Sequence, residues 1–351
     1  MISPTSRSNP DSMKVGHGRR SSGLIALAII GVLVFLVHVG FGSSINYSPW
    51  AVIRALASGP VDHGSNGSGL DIAREVVWSL RLPRACGCIL AGALLGGAGS
   101  AFQSLFRNPL ADPYILGTSS GSAIGGVLAI IAGFSGALMG LALPLCAFIT
   151  GLASLGLVIA LARRRGKIES NTLLLSGVLI GSVLAALLTL ALQLSGQDSI
   201  ILRWLLGSVD PMYWPRVWMM LVVLIICGAI LILRSRGLNA IALGEETAER
   251  LGVDTKSMRR VILLCGTAMT AAAVGSTGII AFVGLISPHI ARRYLGVDWR
   301  YSLPGSFLIG GIVLLAADAI SQRILSDGLP VGIITALLGA PLLMVLLGKK
   351  G

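Results

Sequence analysis

Apolar runs of about 20 residues, the length that crosses a bilayer at 1.5 Å rise per residue, recur from Leu24 to the end of this chain. No other feature restricts the fold so strongly. Lipid offers no partner to exposed backbone N–H and C=O groups, so only helices and closed barrels span it, and runs of this length are helical. Ten spans are read: Leu24–Gly42, Leu82–Phe106, Tyr114–Ile131, Leu138–Ala162, Thr172–Leu194, Val217–Leu233, Arg260–Gly275, Ile279–Tyr294, Gly305–Ile324 and Pro330–Gly348. The seventh and eighth are short and meet at a tight turn around GSTG. Composition agrees, since 12% of the 351 residues are charged against about 25% in soluble domains. The expected fold is an all-α polytopic membrane protein: an N-terminal tail over 1–23, then one transmembrane domain over 24–351 with an outer loop at 43–81 and a cytoplasmic loop at 234–260.

Basic residues orient the map. Arg54, Arg74, Arg81, Arg84, Arg203, Arg216 and Arg323 fall on one side, and the rest of the 27 lysines and arginines fall on the other, most of them in GRR, ARRRGK, RSRG, MRR, ARRYLGVDWR and GKK. The positive-inside rule then puts both termini in the cytoplasm. This bias accounts for the net charge of +12, so nucleic acid is set aside as a partner. The basic N-terminus lacks a small-x-small cleavage site and reads as leading into an uncleaved first span. Cys86, Cys88, Cys146, Cys227 and Cys265 lie in apolar segments without companion ligands at metal spacing, and read as small buried hydrophobes.

Glycines carry the next signal. Lipid supplies no hydrophobic drive between helices, so their association depends on small residues that let backbones approach. Gly117, Gly121 and Gly125 repeat along one face of the third span, as do Gly92 and Gly96 in the second. Among them Ser119, Ser120 and Ser122 either bond back to their own helix or line a polar path. FRNPLADP, between these spans, reads as a cytoplasmic turn whose prolines end one helix and start the next.

Catalytic constellations are not visible. The chain has no Walker A sequence, no HExxH and no CxxC pair, and its histidines, His17, His38, His63 and His289, are scattered. Neither a catalytic residue nor a metal site is expected. Asp318 is the one carboxylate well inside a span, with Arg323 as a candidate partner, which leaves an ion-coupled transporter using Asp318 as an alternative. Pro83 suits the first turn of a helix, flanked by Arg81 and Arg84 on the outer face. Those two arginines run against the charge bias, and either snorkel to lipid phosphate or dock an acidic partner. In the loop 234–260, LGEETAERLG reads as a short amphipathic helix: Glu245 and Glu246 in its first turn, Glu246 and Arg250 paired at i, i+4, Gly252 as its cap, Ala248 and Leu251 as an apolar strip. Either it fills a partner's groove or it lies on its own bundle.

Four long motifs then stand in order: RLPRACGCILAGALLGGAGSAFQSLFRNPLADPYILGTSSGSAIG, LGEETAERLGVD, GIIAFVGLISPHIARRYLGVDWRYSLPG and LPVGIITALLGAPLLMVLL. Together they resemble the FecCD-type permeases, membrane subunits of ABC importers for iron-siderophores, haem and vitamin B12. The resemblance implies a type II ABC importer permease in the cytoplasmic (inner) membrane with ten helices per subunit. It also implies a second permease subunit, a homodimer being favoured, two cytoplasmic ATPases that use ATP, an extracytoplasmic binding protein and no cofactor on this chain. Of the cargoes, an iron-siderophore is favoured on family breadth. Carried over by position, Arg81 and Arg84 become docking residues, Gly244, Glu245, Glu246, Arg250 and Gly252 the ATPase coupling segment, and Ser170 and Asn171 the cytoplasmic gate, where capping of the fifth span is the alternative. Ser119, Ser120 and Ser122 become pathway-lining residues. Arg323 stands as a third docking position, but it follows Asp318 by five residues where the family has four, and Gln322 occupies the usual place.

Overall fold

The computed structural model describes residues 10–40, 49–60, 69–163, 169–324 and 329–348. Among these residues every regular element is helical: α1 (Pro10–Gly40), α2 (Pro49–Ala57), α3 (Gly69–Val76), α4 (Leu82–Leu105), α5 (Thr118–Ile131), α6 (Ala137–Gly140), α7 (Ala142–Ala162), α8 (Ser170–Ser195), α9 (Asp198–Leu205), α10 (Trp214–Leu233), α11 (Ser235–Ala242), α12 (Glu245–Arg250), α13 (Thr255–Thr277), α14 (Val283–Leu295), α15 (Trp299–Ile324) and α16 (Val331–Gly348). Among the described residues seven stretches are long and apolar enough to cross a bilayer, within α1, α3–α4, α7, α8, α10, α13 and α15. The other three expected spans are α5, α14 and α16, of 14, 13 and 18 residues.

α4 is the hub. It packs against α15, α13, α14 and α10, and Leu94, Leu95, Ala98, Ala101 and Phe102 are all but excluded from solvent. The Gly92–Gly96 repeat does what its spacing suggests: a Cβ on Gly92 would lie 2.1 Å from the Gly310 carbonyl oxygen of α15, and one on Gly96 would lie 2.3 Å from that of Ser306. Any side chain there would force α4 and α15 apart. Gly121 and Gly125 press α5 on α7 in the same way, against Ser154 and Thr150.

Pro83 does not open a helix. Helical backbone runs through it from Gly69 to Leu105, and residues Val77–Arg81 form a π turn in which the Leu82 N–H bonds the Val77 carbonyl. A proline has no N–H and its ring crowds the carbonyl four residues back. The widened turn immediately before it accommodates both. The expected outer loop at 43–81 therefore contains two helices, α2 and α3, tied by Arg74, which donates to the carbonyls of Ser58, Gly59 and Pro60. The centre of its Gly/Ser insert, 61–68, lies outside the described residues.

Two interruptions sit inside the bundle. The chain from 106 to 117 is not a simple end turn, and Tyr114, Ile115 and Leu116 are not helical as the third span assumed, because α5 begins at Thr118. Pro113 lies against Gly284, which also meets Leu95 and Gly99 of α4. Those residues stand six to ten positions before the end of α4, or roughly 9–15 Å along its axis. The segment thus re-enters the bundle. The second break is at 278–282. α13 continues helically through the first three residues of GSTG, stops at Gly278 (φ 72°), and the chain restarts as α14 after Phe282 (φ 67°). Non-helical backbone at such depth must find partners in protein, and Tyr114 provides them: its hydroxyl donates to the Ile280 carbonyl at 2.8 Å and accepts from the Ile280 N–H at 3.1 Å.

Candidate functional site

The polar residues gather at the two ends of the bundle. At one end α1, α4 and α15 converge on Asp318, which is 1% exposed. Arg84 grips its carboxylate with two parallel bonds, Nε to Oδ2 and Nη2 to Oδ1, both 2.9 Å. His38 Nε2 at 2.8 Å and the Gln322 amide at 2.8 Å complete the shell. The expected Asp318–Arg323 pairing is replaced for a geometric reason. Five residues advance 500° around a helix, whereas the four to Gln322 return nearly above Asp318. A carboxylate held by a bidentate guanidinium and two further donors is locked into an ion pair, which does not suit a shuttling proton carrier. Cys88 adds its sulfur to this buried group. Arg84 retains 19% side-chain exposure and reaches the half-exposed Asp210 at 3.8 Å. Arg81 points elsewhere, its Nη1 donating to the Val39 and Gly40 carbonyls at 3.0 Å each and so capping α1. Both arginines named for docking thus hold helices of their own chain together. Arg323, on the last turn of α15, is exposed.

At the opposite end, α11 and α12 form a two-helix segment. Asn239 of α11 fastens it to α15, donating to Asp298 Oδ1 at 2.9 Å and accepting from the Trp299 N–H at 3.1 Å. Burial penalises the Asp298 charge, but hydrogen bonds from Asn239 and Arg300 outweigh it and hold the carboxyl below its ordinary range. α12 is built much as its sequence reads. Glu246 bonds Arg250 at 2.6 Å on the surface, Gly252 takes the left-handed turn (φ 80°), and the Val253 N–H reaches back to the Ala248 carbonyl at 2.9 Å. Two contacts were not legible: Glu245 pairs with Arg259 of α13, and Thr255 bonds Glu249 at 2.8 Å. The apolar strip divides, Ala248 being buried on the bundle while Leu251 is 63% exposed, as is Leu243 at 67%. Arg107, at the start of the re-entrant segment, lies beside Gly244.

Ser170 and Asn171 form the first turn of α8, half-buried and exposed respectively. The position before the helix belongs to Glu169 and carries no side-chain cap, so neither residue acts as one. Ser119 and Ser120 are half-buried at the start of α5, whereas Ser122 is fully buried and faces Gly151 of α7. Ser122 therefore does not line an open path here, because the close α5–α7 contact encloses it. The run from Gly117 to Gly121 also reads Gly-x-Ser-x-Gly, but it follows a loop rather than a strand and lacks the setting of a hydrolase nucleophile.

The family model described as the FecCD transport family matches residues 27–349. The uncharacterized ABC transporter permease YvrB of Bacillus subtilis is 39% identical over 291 residues, covering 82% of each chain. A cobalamin import permease, BtuC of Halobacterium salinarum, is 37% identical over 303 residues, covering 86% of this chain and 80% of its own. A vitamin B12 import permease, BtuC of Salmonella newport, is 37% identical over 78% of this chain and 84% of its own. Among solved structures, an inward-facing transporter assigned to the metal-chelate type of ABC transporter superposes with a TM-score of 0.81 at 30% identity, over 94% of this chain and 99% of that one.

Proposed function

The chain belongs to the FecCD transport family, and from that premise we propose that it is the permease of an ATP-driven importer that moves a metal chelate by alternating access. Such a permease has no catalytic residue and needs an energy source outside itself. The observation that carries the reading is the α11–α12 segment: a folded two-helix segment with surface-exposed Leu243 and Leu251 at either end of α12, linked through Asn239 to α15 and lying, at Gly244, beside Arg107 of the re-entrant segment. A helix seated in a cleft of a moving ATPase transmits that motion along both links. The basic end is cytoplasmic in this reading, and two ATPase subunits meet it there.

α4 fills the centre of the bundle, which supports a pathway between two copies of the chain rather than through one. Ser170 and Asn171 would then stand at its cytoplasmic mouth. A binding protein would present acidic residues at the Arg84 end, to Arg81 and Arg84 at the start of α4 and Arg323 on the last turn of α15. The cargo we favour is a ferric siderophore, with cobalamin the choice of two relatives by name. Proteoliposomes holding this chain with a cognate ATPase and binding protein test the proposal, using labelled ferric siderophores, haem and cobalamin with and without ATP. ATP-dependent accumulation of one ligand is expected. Uptake that ignores ATP but follows an imposed pH gradient would sink it.

A further inference from the structure

At the Arg84 end a cavity of about 530 Å³ opens among α5, α7, α9 and the start of α10, with Arg203, Trp204, Asp210, Tyr213 and Arg216 on its walls. Arg216 is the residue that needs explaining. It is 6% exposed, its Nε donates to the Gly140 carbonyl at 2.8 Å, and Nη1 donates to the Pro211 carbonyl at 3.2 Å. The guanidinium also lies 5.5 Å from the centre of the Tyr213 ring. A guanidinium has five N–H donors. Two are engaged, and no carboxylate among the described residues pairs with the charge. Such a burial is costly unless something answers the charge. A second donor is stranded on the same wall: Trp204 Nε1 is buried without a partner, while its ring is fixed against Gly126 of α5. Asp210, the one acid on the wall, is 54% exposed and 3.8 Å from Arg84.

We propose that this cavity binds an oxyanion, with Arg216, Arg203 and the Trp204 indole N–H as donors, and that its occupant is the phosphate of a phospholipid headgroup in the leaflet at that end. The donor set is rich in N–H and poor in acceptors, which suits phosphate, and a planar guanidinium matches its oxygens two at a time. The remaining walls, including Ile130, Leu143 and Ile200, are apolar and suit the glycerol and first methylenes of a lipid. Orientation by basic residues does not account for the site, since this is the arginine-poor end of the molecule.

The full chain in detergent is offered phosphatidylglycerol, diacylglycerol, which has the same chains and no phosphate, or inorganic phosphate, and retained ligand is counted by native mass spectrometry. Phosphatidylglycerol should be held and diacylglycerol washed off. Trp204→Phe removes the stranded N–H together with the outer part of the indole that lies against Gly126, so its fold is checked by thermal unfolding, and it should hold phosphatidylglycerol about tenfold more weakly. Arg216→Gln should abolish retention. Displacement of phosphatidylglycerol by millimolar inorganic phosphate assigns recognition to the oxyanion alone, and resistance to displacement assigns it to the whole headgroup with its chains. Equal retention of phosphatidylglycerol and diacylglycerol, or retention unchanged in Trp204→Phe, overturns the proposal even if Arg216→Gln fails to fold.

Discussion

The two ends of the bundle spend their charges differently. Around Asp318 the carboxylate, the guanidinium and the imidazole answer one another almost wholly inside the protein. Around α12 the pairing is nearer the surface: Glu246 and Arg250 are 81% and 78% exposed, and Glu245 meets Arg259 of α13 while keeping 41% of its side chain exposed. Buried pairs resist removal of one member, because the survivor is left charged in a poor solvent. Exposed pairs contribute little to stability and leave a surface free to be recognised. One end is thus built to stay together and the other to be grasped.

The contrast is broken most severely at Asp318. Asp318→Ala strands Arg84 and His38, and should lower stability by about 3–5 kcal/mol, read by thermal unfolding in detergent. The double variant Arg84→Met with Asp318→Leu should recover most of that loss, since an apolar pair of similar volume is often neutral there. That stable double variant also isolates docking: wild-type affinity for the binding protein at low salt would exclude Arg84 as a docking residue. Next comes Gly252→Pro. Proline cannot adopt φ 80° and removes the Gly252 N–H bond to the Glu249 carbonyl of 2.9 Å. The end of α12 should melt at a cost of about 3 kcal/mol, and uptake should fail while the ATPase still turns over. Normal uptake would detach α12 from coupling.

Asp298→Ala should cost about 1–2 kcal/mol at neutral pH by removing a helix cap. The carboxyl is held below its ordinary value, so its contribution is present above the usual carboxylate range and is lost as pH falls through that range and below. Wild type and variant should therefore converge in stability under acid, and a gap that persists there would show that the lost contacts, not the charge, matter. The smallest effect belongs to Glu246→Gln, within about 0.5 kcal/mol. A larger loss would mean that α12 is not a free surface.

Much of this was readable from residue pattern. The apolar runs gave ten helices because backbone polar groups have no alternative in lipid, and the glycine spacing at Gly92 and Gly96 named a contact face that α15 fills. α12 was legible because every signal that makes it is within eight residues. Two of the misses depend on a partner far along the chain. Asp318 was assigned a neighbour on its own helix when its strongest partner is 234 residues away. His38 looked like one stray histidine, and only the meeting of α1 with α15 gives it a role. Pro83 looked like a helix start because sequence shows its missing N–H and not the π turn that absorbs it.

The bond between Tyr114 and Ile280 also has a bearing on how the chain is made. One phenol stands in for the peptide groups that a helix would have supplied at the break, and it is synthesised 166 residues before the backbone it serves. Until residue 280 has left the ribosome, Tyr114 lacks this partner, and until the re-entrant segment is seated, the Ile280 peptide group lacks its phenol. Insertion of the two halves is therefore not a series of independent steps. Tyr114→Phe, which removes a single oxygen atom and both of these bonds, should be felt during assembly before it is felt in transport.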